Sequence, residues 1–295
     1  MSLVLTLISH PDDPKLTDIV IGAIADHLGR AIDVTWLNPG IACDIALLEG
    51  EAAETIAPLA QMFTETRIDY AVLEADGRRK ALLLADMDST MIEQECIDEL
   101  AASLGLKDQV AAITEKAMRG DIAFEPALRE RVFLLAGLPV SAIDIVFDTR
   151  ISLRSGGRTL VRTMKAHGAY TALVSGGFTH FTNKIADLLD FDEHRANRLM
   201  VSGSTLSGHV AEPILGASAK LEALEDLTKR LGLAPSQTMA IGDGANDLAM
   251  IEKAGMGVAV HAKPKVAERA DHAIQFGDLT ALLYLQGFRK SAFSD

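Results

Sequence analysis

Leu82-Leu83-Leu84-Ala85-Asp86-Met87-Asp88-Ser89-Thr90 is the stretch that decides the fold. A short apolar run stops at two carboxylates, and two hydroxyls follow. If the run is a buried strand, the side-chain period of two puts Asp86 and Asp88 on the same side at its carboxyl end. In open α/β sheets that end is where ligands bind. Carboxylates so close raise each other's pKa, so they require a cation between them or a shared proton. A hard cation with oxygen ligands, such as Mg²⁺, meets that need. The plainer reading is a strand-to-helix turn, because Asp, Ser and Thr are all favoured N-caps. A calcium loop is excluded: counted from Asp86, its glycine position is Met91 and its bidentate-glutamate position is Ile97.

Three later pieces bear on the same point. Ser175-Gly176-Gly177 follows the apolar run 169–174, and a hydroxyl with bare backbone N–H groups there can cradle phosphate oxygens. A simple tight turn is the alternative. Lys220 stands near the start of a helical pattern, where the helix dipole disfavours a cation. On its own it reads as a surface lysine, but a phosphate site bounded by carboxylates needs a fixed positive charge. Gly242-Asp243-Gly244-Ala245-Asn246-Asp247 resembles half a dinucleotide fingerprint, yet the third glycine position holds Asp247, which a pyrophosphate would not tolerate. An oxygen-rich strand end suits Mg²⁺ instead. The eight histidines form no ligand pair.

Outward from these motifs, the first 77 residues alternate as β-α-β-β-α-β, the order of a ferredoxin-like unit. Asp76-Gly77-Arg78-Arg79-Lys80 reads as a polar hinge and a domain boundary. Residues 95–150 carry four apolar stripes at helical spacing, with ends near Gly105 and Gly120 and a third helix opening at Glu125-Pro126. A helical insertion placed directly after the first site strand reads as a lid. From residue 159 strands and helices alternate, with a hairpin expected through Ser202-Gly203-Ser204 and Ser207-Gly208. The expected architecture is α/β: a Rossmann-like parallel sheet with a helical cap at 95–150, spanning 78–295, after a ferredoxin-like α+β domain at 1–77.

Composition narrows the function classes. Lys+Arg 28 against Asp+Glu 41 leaves a net charge of −13, and no basic stretch is long enough to track a nucleic-acid backbone. No apolar run approaches the ~20 residues of a spanning helix. Asp12 and Asp13 interrupt the region where a signal peptide would need an apolar core. Cys43 and Cys96 form no CxxC pair, which fits a reducing compartment. The expectation is a cytoplasmic protein with no nucleic-acid or membrane partner.

Taken together and in this order, DxDST, the strand-terminal SGG, the later lysine and GDGAND resemble the haloacid dehalogenase-like phosphatases, from about Lys80 to the C-terminus. The likeness extends to the phosphoserine phosphatases within that superfamily. It is carried by Glu95, Phe124-Glu125 with Leu128-Arg129-Glu130-Arg131-Val132, Ser175-Gly176-Gly177-Phe178 and Ala196-Asn197-Arg198-Leu199. The resemblance implies Asp86 as nucleophile, Asp88 as acid and base, and Mg²⁺ held by Asp86, the Asp88 carbonyl and Asp243 with Asp247 near by. It implies Ser175, Gly176 and Lys220 on the phosphoryl oxygens, and Asn246 orienting phosphate or substrate. Glu95 would meet the substrate ammonium, Arg131 its carboxylate, and Met118 and Phe124 its apolar surroundings. The implied substrate is phosphoserine, in the last step of serine biosynthesis, with phosphohomoserine or phosphoethanolamine as the alternative. The N-terminal unit resembles an ACT-type domain, but Asp13-Pro14-Lys15 replaces the glycine common at its first turn. Subunit pairing into a homodimer is therefore expected of it before amino-acid sensing, and its removal is expected to leave a folded, active remainder.

Overall fold

The computed structural model describes residues 2–119 and 121–295, the side chains of Met118 and Arg119 excepted. The N-terminal part comprises β1 (Leu3–Ile8), α1 (Asp18–Leu28), β2 (Val34–Asn38), β3 (Ala42–Ala46), α2 (Ala53–Ile56), α3 (Ala60–Thr66) and β4 (Asp69–Glu74). Its antiparallel sheet has the order β2-β3-β1-β4, the ferredoxin-like arrangement expected. Strand alternation divides its residues between two faces. Leu5, Leu7, Cys43 and Ile45 pack with Ile24 of α1 and Phe63 of α3. Val4, Ile8, Ala42, Ala71 and Leu73 point the other way, into the core formed by the rest of the chain.

The remainder begins with β5 (Leu82–Ala85), followed by α4 (Cys96–Ser103), α5 (Lys107–Arg119), α6 (Phe124–Phe133) and α7 (Val140–Arg150). Then come α8 (Gly157–Ala166), β6 (Tyr170–Phe178), α9 (Thr179–Leu189), β7 (Glu193–Asn197), β8 (Leu199–Ser202), β9 (Thr205–Val210) and α10 (Ala217–Arg230). The chain closes with β10 (Thr238–Gly242), α11 (Leu248–Lys253), β11 (Gly257–Val260), α12 (Pro264–Ala267), β12 (His272–Ile274) and α13 (Ala281–Leu285). Six strands form one parallel sheet in the order β12-β11-β10-β5-β6-β7. A central parallel strand is covered on both faces, which is why β5 is apolar throughout. Leu83 and Ala85 pack into the layer of Leu160, Val161, Phe181 and Ile185, while Leu82 and Leu84 pack with Leu224, Leu227 and Ile251. Each such buried leucine contributes about 1.5–3 kcal/mol, so the strand end is held on rigid ground.

Helices α4–α7, the cap, run from Cys96 to Arg150 and are inserted between β5 and β6. The expected stop at Gly120 lies outside the described residues. The structure departs from the sequence reading elsewhere. The β6 strand does not stop at Ser175-Gly176-Gly177 but runs through them, with its pairing to β7 shifted between Val174 and Phe178. The edge strand β7 was not foreseen, because Glu193-His194-Arg195-Ala196-Asn197 has almost no apolar side chain to bury. One hairpin turns at Gly203; Ser207 and Gly208 lie inside β9. That hairpin belongs with the cap: Gly137 N–H donates to the Leu206 carbonyl (2.9 Å) and Val140 N–H to that of Ser204 (3.0 Å).

Residues 76–80 are tethered and do not form the free hinge expected. Arg78 is ion-paired with Asp44 and bonded to Thr6. Arg79 lies 4.4 Å from the Phe288 ring centroid, and Lys80 Nζ donates to the Ser236 carbonyl (2.7 Å). Across the same junction the Asp69 carboxylate accepts the backbone N–H groups of Gln275, Phe276 and Gly277. The shared core and these buried charges argue against a freestanding remainder after removal of residues 1–77.

Candidate active site

Strand pairing assembles the site. The β5 and β10 strands run in register from Leu82 opposite Thr238 to Ala85 opposite Ile241, and Asp86 N–H donates to the Ile241 carbonyl (3.0 Å). The Asp86 carboxyl and the 242–247 loop therefore leave the sheet side by side. On the other flank Ala85 pairs with Leu173, bringing Ser175 to the same end. The α10 helix supplies Lys220, whose buried Nζ lies 2.7 Å from Asp86 Oδ1 and 2.6 Å from Asp247 Oδ1. Lys220 is thus no surface lysine.

Carboxylate oxygens of Asp86, Asp243 and Asp247 all lie within 4.8 Å of one another. Asp247, expected near the metal, is one of the three. Gly244 N–H donates to its Oδ2 (2.9 Å), and a Cβ on Gly242 would collide with its carboxylate. Burial foremost, and the Asp247 charge next, push the Asp86 carboxyl well above its ordinary range, against the pull of Lys220. Burial and then Asp247 raise Asp243 to about 6. Burial alone would depress the Lys220 ammonium, but Asp86 and Asp247 overcome it and hold it above its usual value. Three clustered carboxylates against one ammonium leave an excess of negative charge. An all-oxygen donor set without His or Cys fits a hard divalent cation.

Asp88 lies on the cap side. Its Oδ1 accepts the Cys96 N–H (2.9 Å) and its Oδ2 faces the Ser175 hydroxyl (3.4 Å). Burial, then the Glu95 charge, raise its pKa to about 7, so near neutrality it can both give and take a proton. Ser175 Oγ accepts the Gly177 N–H (2.8 Å), and a Cβ on Gly177 would come within 2.8 Å of Asp88 Oδ2. Glycine is needed there for close approach. Glu95 accepts a hydrogen bond from Ser89 Oγ (2.9 Å). Arg131 reaches in from α6, donating to the Ala127 carbonyl and to Thr114 Oγ1 (both 3.3 Å), in the field of Asp98, Glu95 and Asp88. The Phe124 ring covers Gly176 and Gly216. Asn246 folds back over Gly244, and no hydrogen bond holds its amide to Ser175 or Lys220. The Met118 side chain is outside the described residues.

Two residues of the quoted motifs, Thr90 and Asn197, take roles that the sequence reading did not assign. Thr90 Oγ1 donates to Asp243 Oδ1 (3.1 Å), joining the first motif to the last. Asn197 Nδ2 donates to the carbonyls of Gly176 (2.8 Å) and Leu215 (3.1 Å), and its Oδ1 accepts the Leu215 N–H. Asn197 belongs to a stretch that carries the resemblance, but its partners are backbone groups some twenty residues away, which the stretch itself does not reveal.

Residues 80–255 match the family model for haloacid dehalogenase-like hydrolases. A phosphoserine phosphatase from Streptomyces coelicolor is 38% identical over 290 residues, covering 97% of this chain and 70% of its own. One from Archaeoglobus fulgidus is 43% identical over 206 residues, covering 70% of this chain and 60% of its own. Among solved structures, a HAD-family hydrolase from Salmonella enterica serovar Typhi superposes with a TM-score of 0.86 at 31% identity, covering 96% of this chain and 98% of its own.

Proposed function

The chain belongs to the haloacid dehalogenase-like hydrolases, and from that premise we propose that it is a Mg²⁺-dependent phosphoserine phosphatase working through an aspartyl-phosphate. One observation carries the reading: a buried carboxyl, Asp86, ends the central strand beside the Lys220 ammonium and within a cluster of carboxylates. Asp86 attacks phosphorus in line, and the bond from phosphorus to the serine oxygen breaks. Asp88 gives that oxygen a proton. It then takes one from the water that attacks the acyl-phosphate, which frees phosphate and returns Asp86. Asp86, Asp243 and the Asp88 carbonyl, with Asp247 in the same cluster, would hold Mg²⁺, which would supply positive charge against the phosphoryl group.

Lys220, Ser175 and the Gly176 N–H hold the phosphoryl oxygens, and Asn246 orients the group. Glu95 takes the substrate ammonium and Arg131 its carboxylate, a planar fork suited to bidentate pairing. Phe124 and Met118 close the apolar side. The zwitterion-matching pair, Glu95 with Arg131, favours phosphoserine over phosphoethanolamine. Residues 1–77 act as a packing domain on the catalytic domain 78–295, in a cytoplasmic enzyme. Any homodimer through that domain would use its helices or the β2 edge, because its other sheet face is already covered. No helix of the described residues is long and apolar enough to cross a membrane.

A panel of phosphomonoesters assayed for phosphate release tests the reading. Phosphoserine is expected to give the highest kcat/KM, with activity lost in chelator and restored by Mg²⁺. A faster phosphohomoserine or phosphoethanolamine would overturn the substrate, and no release from any would overturn the chemistry.

A further inference from the structure

The cap is joined to the catalytic domain by two linkers that run antiparallel. Glu93 N–H donates to the Ser152 carbonyl (3.0 Å), Arg154 N–H to that of Met91 (2.9 Å), and Ile92 bridges Leu153. Ser152 N–H adds a bond to Gln94 Oε1 (2.8 Å). At the foot of this ribbon the half-buried Arg154 turns its guanidinium inward. Its Nε donates to the Thr90 carbonyl (3.1 Å) and its Nη2 to the Ser89 carbonyl (2.9 Å). A planar fork on two consecutive carbonyls fixes the peptide between them in a way a point charge cannot.

What it fixes matters. Ser89 has φ of 56°, in the left-handed region where a non-glycine residue is disfavoured and persists only when its surroundings impose it. The hydroxyls of the same two residues reach both sides of the site, Ser89 onto Glu95 and Thr90 onto Asp243. Arg154 is itself seated on the catalytic domain. The next residue, Ser155, donates to Asp278 Oδ2 (3.1 Å) and accepts the Leu279 N–H (3.0 Å), and Gly156 presses against Asp278 and Thr280. We infer that Arg154 is a positioning residue: it holds Ser89 left-handed and so keeps the nucleophile loop and the cap hinge in one working arrangement. The inference deepens the phosphatase reading and rests on it for its activity assay.

The test compares Arg154→Met and Arg154→Lys in the native background and in Ser89→Gly, where glycine adopts the left-handed conformation unaided. In the native background Arg154→Met is expected to lower kcat/KM about ten- to a hundredfold, the weight of losing charge-assisted bonds. Lys, which lacks the fork, is expected to restore little. In Ser89→Gly the further loss is expected to shrink severalfold. Equal losses in the two backgrounds, or full rescue by Lys, would overturn the clamp. Should Arg154→Met not fold, Arg154→Lys carries the same two-background comparison. Hydrogen exchange of amides 87–92 gives a readout free of substrate. Faster exchange confined to that segment is expected in the variants, and unchanged exchange refutes the inference. An inactive native protein with the expected exchange pattern would count against the proposed function and leave the clamp standing.

Discussion

Buried carboxylates occur both between the two sheets and at the end of the parallel one. Their exposure is alike: Asp44 6% and Asp69 4% in the first region, Asp86 5% and Asp247 0% in the second. Their partners differ. Asp44 is met by the Arg78 fork and the Thr6 hydroxyl, and both oxygens of Asp69 are taken by three successive backbone N–H groups. At the sheet end Asp86, Asp243 and Asp247 cluster, with the Lys220 ammonium on Asp86 and Asp247 and with Asp88 two residues along the chain. A buried charge that is fully paired belongs to the architecture, whereas a surplus of one sign marks a place built to receive the other.

Substitution at matching positions should separate the regions sharply. Asp86→Asn is expected to cut turnover by more than about a thousandfold, as loss of a nucleophile does, without lowering Tm in metal-free buffer. Turnover within tenfold of the native protein would remove Asp86 from the chemistry. Asp88→Asn should lower kcat by about 10²–10⁴, the usual worth of a positioned acid. An unchanged kcat would cancel its role. Arg131→Ala should lose about 2–5 kcal/mol of transition-state stabilisation for phosphoserine and very little for phosphoethanolamine, which has no carboxylate to miss. Equal losses would assign Arg131 to the cap. In the other region Asp69→Asn should leave kcat alone but cost about 1–3 kcal/mol of stability, since an amide cannot accept all three N–H groups. A fall in kcat at constant stability would instead tie that junction to the site.

The surplus charge also has a pH signature. Asp88 at about 7 and Asp243 at about 6 both lie above the ~4 of an unfolded aspartate. Below pH ~4 both states are protonated and the full stability remains; from there up to pH 6–7 the unfolded chain is ionised while the folded state keeps its protons, so stability falls until the folded groups ionise too. Metal-free Tm should therefore fall between pH 5 and 8, and added Mg²⁺ should raise it more at pH 8 than at pH 5. Equal Mg²⁺ shifts at both would contradict the surplus.

Much of the catalytic end was legible because its signals are local. Leu82–Ala85 followed by Asp86 and Asp88 states strand, strand end and ligand chemistry within a few residues, and Gly242 to Asp247 does so again. Pairings between distant segments were not. Lys220 on its own reads as a solvated helix residue; the resemblance put it on the phosphate, and only the docked α10 reveals its pairing with Asp86 and Asp247. Arg78 sits in a run of charge that looks like a hinge, and only Asp44, far off in sequence, makes it a joint. The β7 strand is hidden by polarity, since an edge strand with one covered neighbour needs little apolar surface. Arg154 gives no sign of its part, because both partners are backbone carbonyls that any sequence would provide.

The proposed chemistry requires a covalent bond to Asp86. Rapid acid quench of the protein during turnover of phosphoserine labelled in its phosphoryl group should trap label on the chain. That label should be released by hydroxylamine, map by mass spectrometry to the peptide containing Asp86, and be absent from Asp86→Asn. A protein that turns over phosphoserine in Mg²⁺ yet carries its label on another residue would contradict the account.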